Sequence, residues 1–412
     1  SNSYNHLQFQ NMRLEIKNKI HLLILVIAFS CIEPYEYELI HEVGPPLIVV
    51  DGLLTNEEKT HSVRLSYTSG LGITNLTTIN EATVIIETSD GDAVTLTERH
   101  PGNYVTSSTY RGIVGQSYRL RIKIKNGHEY LSSEEVLNEA PPIDTLYGRY
   151  VQLPSEKSAE LLNGVQLFIE SDWSDYEVST FRYVWEETYE WRVPYPSEYV
   201  YVPKIGAAIQ RKMTDLQSVE VCFRGDTSTA LLLGSAFSLN NSKLTEFPIH
   251  FINENDQNLS FKTAVKVKQY ALSNATYQYY KRLKENNESG GSLFDKQKGN
   301  ISGNIKSLTD PKELVMGNFD VSGVSSKVSF FEPKTFVSDG FKVNYGLDYC
   351  GIDIIGIDSI PALALEGYVT DDRNARMIIW TYDPDLQLYF MTSENCSDCR
   401  ILGKIGVPDF WE

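Results

Sequence analysis

The sequence is short of basic charge and of long apolar runs. Its 37 lysines and arginines are outnumbered by 54 aspartates and glutamates, which leaves a formal net charge of -17. Such a chain repels nucleic-acid phosphates, so nucleic acid is not expected as a partner. The apolar segment 20–29 holds about ten residues, well below the ~20 that a membrane-spanning helix needs, so a permanent transmembrane helix is not expected either.

The sequence also lacks the spacings that mark common catalytic sites. There are seven histidines, and none stands in a His-Glu-x-x-His or similar metal-binding pattern. His61 and His128 are interpreted as surface strand residues, and His250 stands alone in the second half of the chain. Nucleophile elbows, phosphate-binding loops and dinucleotide fingerprints are missing as well. We therefore expect no catalytic residue, no metal and no cofactor.

Two pairs of neighbouring carboxylates are candidates for a catalytic or metal-binding site. Glycosidases work with two carboxyl groups ~5 to 9.5 Å apart, and both Asp371-Asp372 and Asp383-Pro384-Asp385 supply carboxylates close in sequence. Acidic residues are common throughout this chain, however. We interpret both pairs as turn residues, with Ca²⁺ ligation as the alternative.

The N-terminal part of the chain reads as an export signal. A net basic segment, 12–19, precedes the apolar segment 20–29, and Ala28-Phe29-Ser30-Cys31 then resembles a bacterial lipobox. The small Ser30 suits cleavage before a cysteine, whose thiol carries the lipid, although Ala28 replaces the commoner leucine. We predict Cys31 as the lipidation site and first residue of the mature protein. The alternative is an ordinary secretory signal.

These features define the expected domain organisation. Residues 1–30 are interpreted as an upstream stretch plus the signal peptide, and residues 31–46 as the lipidated cysteine with an acidic, proline-containing tether. Residues 47–140 are predicted to form an immunoglobulin- or transthyretin-like β-sandwich, and residues 141–412 a larger β-rich domain. Ala140-Pro141-Pro142 marks the boundary between them.

Alternation and turn chemistry support the first sandwich. Residues 117–125 alternate strictly between apolar and basic side chains, which is typical of a strand with one buried face. Asp90-Gly91-Asp92 predicts a hairpin turn between residues 83 and 96, and Asn126-Gly127 predicts another. The fold class is therefore predicted as mainly all-β.

The second domain carries an aromatic stripe and one convincing helix. Within residues 180–201 the aromatic side chains fall on odd positions, so a strand places them on one face. They are Phe181, Tyr183, Trp185, Tyr189, Trp191 and Tyr195. This face is either core or a possible binding surface for a small molecule, peptide or glycan. A helix is predicted near 273–286 with Ser273 as its N-cap, and turns are predicted at Gly303-Asn304, Gly317-Asn318 and Asp339-Gly340.

Four cysteines remain after Cys31, an even number that predicts two disulfides in an exported chain. They are Cys222, Cys350, Cys396 and Cys399, and three pairings are open. A redox Cys-x-x-Cys at 396–399 is not favoured because no βαβ unit surrounds it. A zinc site is not favoured because no histidine lies nearby.

Short motifs spread over nearly the whole mature chain resemble the DUF4249 family of uncharacterised Bacteroidetes lipoproteins. Besides the lipobox, they are Val49-Val50-Asp51-Gly52, Gly102-Asn103-Tyr104, Ser117-Tyr118-Arg119-Leu120, Cys222-Phe223, Gly290-Gly291-Ser292-Leu293-Phe294, Ile301-Ser302-Gly303-Asn304-Ile305, Val315-Met316-Gly317-Asn318-Phe319, Cys396-Ser397-Asp398-Cys399 and Pro408-Asp409-Phe410-Trp411. The resemblance implies an outer-membrane lipoprotein that works beside TonB-dependent β-barrel receptors. It implies no activity, and the only site it carries over is the lipid site Cys31.

Three functional hypotheses follow. The first is a surface-exposed, non-catalytic accessory lipoprotein that captures a ligand or docks on an outer-membrane receptor in nutrient uptake. The second is a cell-surface hydrolase or glycan-processing enzyme, for which carboxylates, or a carboxylate with His250, would have to converge in a cleft. The third is a structural or adhesion lipoprotein that needs no pocket.

Overall fold

The protein is seen in a computed structural model that describes residues 46–69, 77–155, 160–202, 204, 207–235, 242–288, 301–346, 350–356 and 377–411. The predictions for the export signal, Cys31, the tether, Asp371 and Asp372 lie outside these residues. Strands dominate the described part, so the all-β prediction is confirmed.

The strands are numbered in chain order: β1 (Ile48–Thr55), β2 (Ser62–Tyr67), β3 (Thr83–Thr88), β4 (Ala93–Thr95), β5 (Thr97–His100), β6 (Asn103–Val105), β7 (Ser117–Lys123), β8 (Glu129–Ser132), β9 (Glu135–Val136), β10 (Thr145–Pro154), β11 (Leu161–Asp172), β12 (Thr180–Arg192), β13 (Tyr199–Val202), β14 (Ala207–Gln210), β15 (Val221–Thr227), β16 (Leu232–Ser235), β17 (Lys243–Asn253), β18 (Thr263–Ala271), β19 (Ile305–Ser307), β20 (Val315–Phe331), β21 (Asp353–Gly356), β22 (Met377–Asp383) and β23 (Leu388–Ser393). The helices are α1 (Met213–Glu220), α2 (Asn274–Glu288), α3 (Lys334–Val337) and α4 (Glu394–Ser397).

The first β-sandwich packs two sheets around one apolar core. One sheet contains β1, β2, β5 and β6, and the other contains β3, β4, β7, β8 and β9. Strand β7 shows the predicted alternation, because Tyr118, Leu120 and Ile122 are buried in that core. Both predicted hairpin turns are present, with Gly91 and Gly127 each at a φ of 91°, a conformation that glycine adopts at little cost.

Strand β20 joins the first sandwich to the second. Its first half, residues 315–322, pairs in parallel with β1, and its second half, residues 323–331, pairs antiparallel with β18. Strand β19 also adds to β8, so Ile305 and Phe319 lie in the first core. The predicted boundary at residue 140 therefore does not isolate the first sandwich, because residues from beyond 300 complete both of its sheets.

The Gly317-Asn318 turn was predicted wrongly, because both residues lie inside β20. Gly317 has a φ of 96°, and a Cβ built there would stand 1.8 Å from the carbonyl oxygen of Val50. Glycine is needed here for the close approach of β1 rather than for a change of chain direction. By contrast, the predicted turn at Asp339-Gly340 is present, with Gly340 at a φ of 111°.

The second β-sandwich packs β12, β15, β16, β18 and the end of β20 against a three-stranded sheet of β10, β11 and β17. Its core holds apolar side chains from both sheets, among them Leu167 and Ile169 of β11, Phe181 of β12 and Val265 and Val267 of β18. The two sheets therefore bury one face each, and any side chain that alternates onto the inner face of β12 enters this core.

Helix α2 begins as predicted, because the Ser273 hydroxyl accepts a hydrogen bond from the backbone N–H of Thr276 at 3.2 Å. A buried ionic group fastens the helix to the sheet. The Tyr280 hydroxyl donates to the Asp320 carboxylate at 3.1 Å, and the Arg182 guanidinium lies 4.3 Å from the Tyr270 ring centroid and 5.1 Å from that of Tyr280. These contacts fix the position of α2 against the sheet.

His61 was interpreted as a surface residue, and this was wrong. The residue is 2% exposed, and its Nε2 lies 3.0 Å from the hydroxyl oxygen of Thr55. Burial, together with the nearby Lys59 ammonium, lowers the pKa of His61 from the usual 6.5 to about 4. His61 is therefore neutral in the folded protein at neutral pH.

The pH dependence of stability is expected to report this burial. Between pH 6.5 and about 4 the unfolded chain protonates His61 and the folded protein does not. The stability contribution is therefore complete above pH 6.5 and falls by about 1.4 kcal/mol per pH unit below it. Urea unfolding at about pH 7 and about pH 5 should show a smaller loss for His61→Gln than for the wild type. Equal losses in both proteins would contradict the assignment.

Candidate functional site

The aromatic stripe lies on one face of β12 as far as Trp191, as its alternation predicted, and Tyr195 follows the end of the strand. Phe181 and Tyr183 lie in the core of the second sandwich, whereas Tyr189 and Trp191 lie in a separate buried cluster with Cys222 and Cys399. Phe181, Tyr183, Tyr189 and Trp191 are buried, whereas Trp185 and Tyr195 are partly buried. The rings pack on neighbours from other elements, for example Tyr183 on Phe247 at 5.1 Å and Tyr195 on Trp380 at 4.8 Å between centroids.

The proposed binding surface of Tyr183, Trp185, Tyr189, Trp191 and Tyr195 is therefore not an exposed aromatic platform. The physical reason is that the second sheet covers Tyr183 and Trp185, whereas Tyr189 and Trp191 pack beside the Cys222–Cys399 bridge, so burial of the ring area outweighs exposure. Core packing, the alternative interpretation, describes these rings.

A buried acid–base pair interrupts the aromatic face. Glu187, 2% exposed, lies on the inner face of β12, and its carboxylate is 2.7 Å from Nε2 of His250 on β17. Asn258 donates a second hydrogen bond to that carboxylate at 2.6 Å. The Trp185 ring stacks on the His250 ring with centroids 3.7 Å apart. The pair thus bridges the two sheets, with the carboxylate fully enclosed.

One feature of the sequence indicates this buried pair. Glu187 is the single acidic residue among the odd-numbered aromatic positions, and a charge on an otherwise apolar strand face indicates a specific partner. Chemically, the carboxylate orients the imidazole through its contact with Nε2. The arrangement brings together a carboxylate and His250, which the hydrolase hypothesis required, but it does so inside the inter-sheet core.

An open groove lies at one side of the same sandwich. Residues 233–235 of β16, residues 244–248 of β17, and Tyr277, Gln278 and Lys281 of α2 line it, and its volume is about 600 Å³. Strand β16 pairs with β12 and strand β17 pairs with β11. The groove therefore lies between strands from the two different sheets of this sandwich.

A buried hydrogen-bonding group without a partner lies beneath the lining of the groove. Tyr183 is 1% exposed, and its hydroxyl has no hydrogen-bond partner within the described residues. The ring lies beneath two lining residues, because it contacts Phe247 and because a Cβ at Gly234 would stand 3.4 Å from the hydroxyl oxygen. Burial raises the pKa of Tyr183, so the hydroxyl stays protonated.

The four predicted disulfide cysteines form two bridges. Cys222 pairs with Cys399 at a Cα–Cα distance of 5.5 Å, and Cys350 pairs with Cys396 at 5.8 Å. The short Cys396–Cys399 bridge is not formed. The first bridge packs beside Tyr189 and Trp191, so it attaches the C-terminal segment to the edge strand β15 of the large sheet.

We expect a non-reducing peptide map of protein made in an oxidising compartment to show this connectivity. A fragment containing Cys222 should be linked to one containing Cys399, and a fragment containing Cys350 to one containing Cys396. Cleavage after lysine and arginine does not separate Cys396 from Cys399, because Arg400 follows both cysteines. A protease that cuts after Asp398 separates the two C-terminal cysteines and makes the pairs distinguishable. Recovery of Cys396 linked to Cys399 would contradict the structure.

Residues 32–328 match the model of a family described as a domain of unknown function, DUF4249. The match covers well over half of the chain. The chain belongs to the DUF4249 family. No curated protein matches it. In this DUF4249 protein the matched region ends inside β20, so it contains β16, β17 and α2, and hence the whole lining of the groove.

Two further residues singled out in the sequence of this DUF4249 protein, Asp383 and His128, make contacts within the fold. The Asp383 carboxylate accepts hydrogen bonds from the backbone N–H groups of Asp385 and Leu386, which is a turn, as interpreted. The His128 ring contacts Glu313 at 3.2 Å. In the part of the chain that the structure describes, no group of three or more metal-ligating side chains is assembled. The described helices include none of the length and apolarity that crossing a membrane requires.

Proposed function

We propose that this DUF4249 protein is a non-catalytic binding lipoprotein. Cys31 anchors it in the outer membrane, the folded part faces the cell exterior, and it works beside a TonB-dependent β-barrel receptor in nutrient capture. The export signal and the lipobox-like Ala28-Phe29-Ser30-Cys31 support the anchoring. The bridges Cys222–Cys399 and Cys350–Cys396 support an oxidising compartment, since cytosolic proteins rarely keep such bonds.

One observation carries the binding role: an open groove of about 600 Å³ lies between β16, β17 and α2, with apolar and polar side chains along its walls. The ionic groups that catalysis would use are instead engaged with one another inside the fold. Glu187 is held by His250 and Asn258, and Asp320 by Tyr280 and Ser322. This distribution favours recognition in the groove over chemistry, because Glu187, His250 and Asp320 lie outside the groove lining.

Labelling and co-purification test the proposal. In the native host, a radioactive fatty acid should label the wild type and not Cys31→Ala. After crosslinking and gentle solubilisation of the outer membrane, the wild type should co-purify with a β-barrel receptor. Recovery of the crosslinked wild type without such a protein would contradict the accessory role, and equal labelling of Cys31→Ala would contradict the anchor.

A surface hydrolase is the second candidate, because Glu187 and His250 are in contact at 2.7 Å. It requires that a substrate reach the imidazole, whose side chain is 12% exposed. Fluorogenic esters and glycosides test it. Hydrolysis that Glu187→Gln abolishes without a loss of folded protein would support the enzyme and contradict the binding proposal.

A further inference from the structure

We propose that the C-terminal surface of this protein contacts the anionic headgroup layer of a lipid membrane directly, as a second attachment beside the lipid anchor. The C-terminal surface is defined as residues 398–410 together with residues 211–215, where α1 begins. The inference rests on the proposed membrane location, and it adds a non-covalent contact that lipidation of Cys31 does not supply.

The C-terminal surface exposes five large apolar side chains within ten residues, each of them between 45% and 66% exposed. They are Ile401, Leu402, Ile405, Val407 and Phe410. Helix α1 contacts residues 399–401 and begins with the exposed Met213. Single exposed apolar residues are common on soluble proteins, but a cluster of them marks a surface that another molecule covers.

Three attachments hold this segment in place. The Cys222–Cys399 bond fixes one end, and Lys404 and Phe223 exchange two backbone hydrogen bonds of 2.9 Å in the middle. At the other end, the Trp411 ring packs on the Phe223 ring with centroids 4.8 Å apart. The exposed apolar side chains are therefore presented by a fixed backbone rather than by a chain end that can fold back on the protein.

The charge of the C-terminal surface differs from that of the whole chain. Four basic residues stand against three aspartates, a net charge of +1, whereas the whole chain has -17. Arg400 is paired with Asp398 at 2.5 Å. Lys212 and Lys404 are exposed and form no ion pair within the described residues. An anionic layer is therefore the complementary partner, because it supplies the counter-charge that these two ammonium groups lack.

The residue types favour a lipid layer over a protein as the occupant. Protein interfaces are depleted in lysine, and leucine and valine contribute few of their strongest contacts. Here isoleucine, leucine and valine surround Lys404, and the aromatic pair Phe410-Trp411 lies at one side. This combination is typical of segments that insert shallowly into a membrane, because the apolar groups enter the acyl boundary while the ammonium groups meet lipid phosphates.

The C-terminal surface lies far from the point where the predicted tether enters the fold. Strand β20 runs from Val315, which pairs with Ile48 at the start of β1, to Phe330, whose ring packs on Trp411 with centroids 5.6 Å apart. About 15 residues of extended strand span up to ~50 Å. A lipid contact here therefore adds a distant attachment point, which restricts the orientation of the protein on the membrane.

Photo-crosslinking from lipid vesicles maps the contact. The full chain is mixed with vesicles of phosphatidylcholine and phosphatidylglycerol, in which part of the phosphatidylcholine carries a diazirine on its acyl chain. Mass spectrometry after digestion should find lipid adducts on residues 401–411, in peptides separate from the apolar segment 20–29. Adducts on other parts of the chain without any on residues 401–411 would overturn the inference.

An apolar substitution with a matched control tests insertion. Ile405→Ser should lower the adduct yield on residues 401–411 about tenfold, because it removes apolar area that enters the lipid. Ile354→Ser is the control, since Ile354 lies on β21 outside the C-terminal surface and is 61% exposed, against 59% for Ile405. Equal effects of the two substitutions would overturn the assignment of the surface.

A lysine substitution tests the role of charge. Lys404→Gln should lower the adduct yield about fivefold on vesicles with phosphatidylglycerol and leave it unchanged on vesicles of phosphatidylcholine alone. The exposed Lys342 lies outside the C-terminal surface, so Lys342→Gln should behave like the wild type on both kinds of vesicle. The same loss for Lys404→Gln on both kinds of vesicle would contradict a contact with anionic headgroups.

The outcome is separable from the fate of the proposed function. If residues 401–411 take no adducts while Cys31 is labelled by fatty acid in the native host, the direct lipid contact fails and the anchor stands. If Ile405→Ser instead removes a β-barrel receptor from the crosslinked native-host complex and leaves the adducts unchanged, the C-terminal surface is a protein interface and the lipid inference is wrong.

Discussion

Replacing Glu187 with alanine is expected to lower the free energy of unfolding by about 3 to 5 kcal/mol. The carboxylate lies fully buried between two sheets and is bound by His250 and Asn258, at 2.7 Å and 2.6 Å. Its removal leaves the imidazole and the amide in the core without their acceptor, and it also opens a cavity beside Trp185. Urea unfolding followed by tryptophan fluorescence measures the loss.

The neighbouring Glu186 gives a matched control. It has the same side chain on the same strand but faces outward with a side-chain exposure of 47%, so Glu186→Ala should cost less than about 1 kcal/mol. A double-mutant cycle with His250→Ala should show that the two losses are not additive, because each variant breaks the same contact. Additive losses, or similar costs at 186 and 187, would contradict the buried pair.

Gly317→Ala is expected to cost at least about 3 kcal/mol of stability, and much of the protein should fail to fold. Two effects combine at this position: a φ of 96°, which strains an alanine, and a Cβ position 1.8 Å from the carbonyl oxygen of Val50. Relief of that overlap requires β1 and β20 to separate where they join the two sandwiches.

Gly91 is a control that separates backbone strain from steric overlap. Its φ of 91° is nearly the same, but a Cβ there meets nothing within 4 Å. Gly91→Ala should therefore cost only the conformational part, about 1 to 2 kcal/mol. Thermal unfolding of both variants measures the difference, and a cost at Gly317 no larger than at Gly91 would contradict the close approach of β1 and β20.

Local features of the fold followed from the sequence because their causes are local. The alternation of residues 117–125 fixes which side chains of β7 are buried, and Ser273 marks the start of α2. The role of β20 was not predictable in this way. Its partner β1 lies more than 260 residues earlier, and nothing in residues 315–322 identifies which strand they join.

The candidate site also has features that the sequence predicts and features that only the structure shows. Alternation correctly placed Tyr183 and Trp185 on one face of β12, but only the position of the second sheet decides that this face is core. The groove could not be predicted, because it depends on where β16, β17 and α2 meet in space. The disulfide pairing likewise required the structure, since spacing alone left three possibilities open.

Export and acylation at position 31 are the basis of the proposed role, and the intact mass of the protein purified from its native host tests them most directly. The account predicts a mature chain that begins at Cys31 and carries lipid on that residue. A chain that retains residues 1–30 and has a free thiol at Cys31 would contradict the anchor, the compartment and the receptor-linked function together.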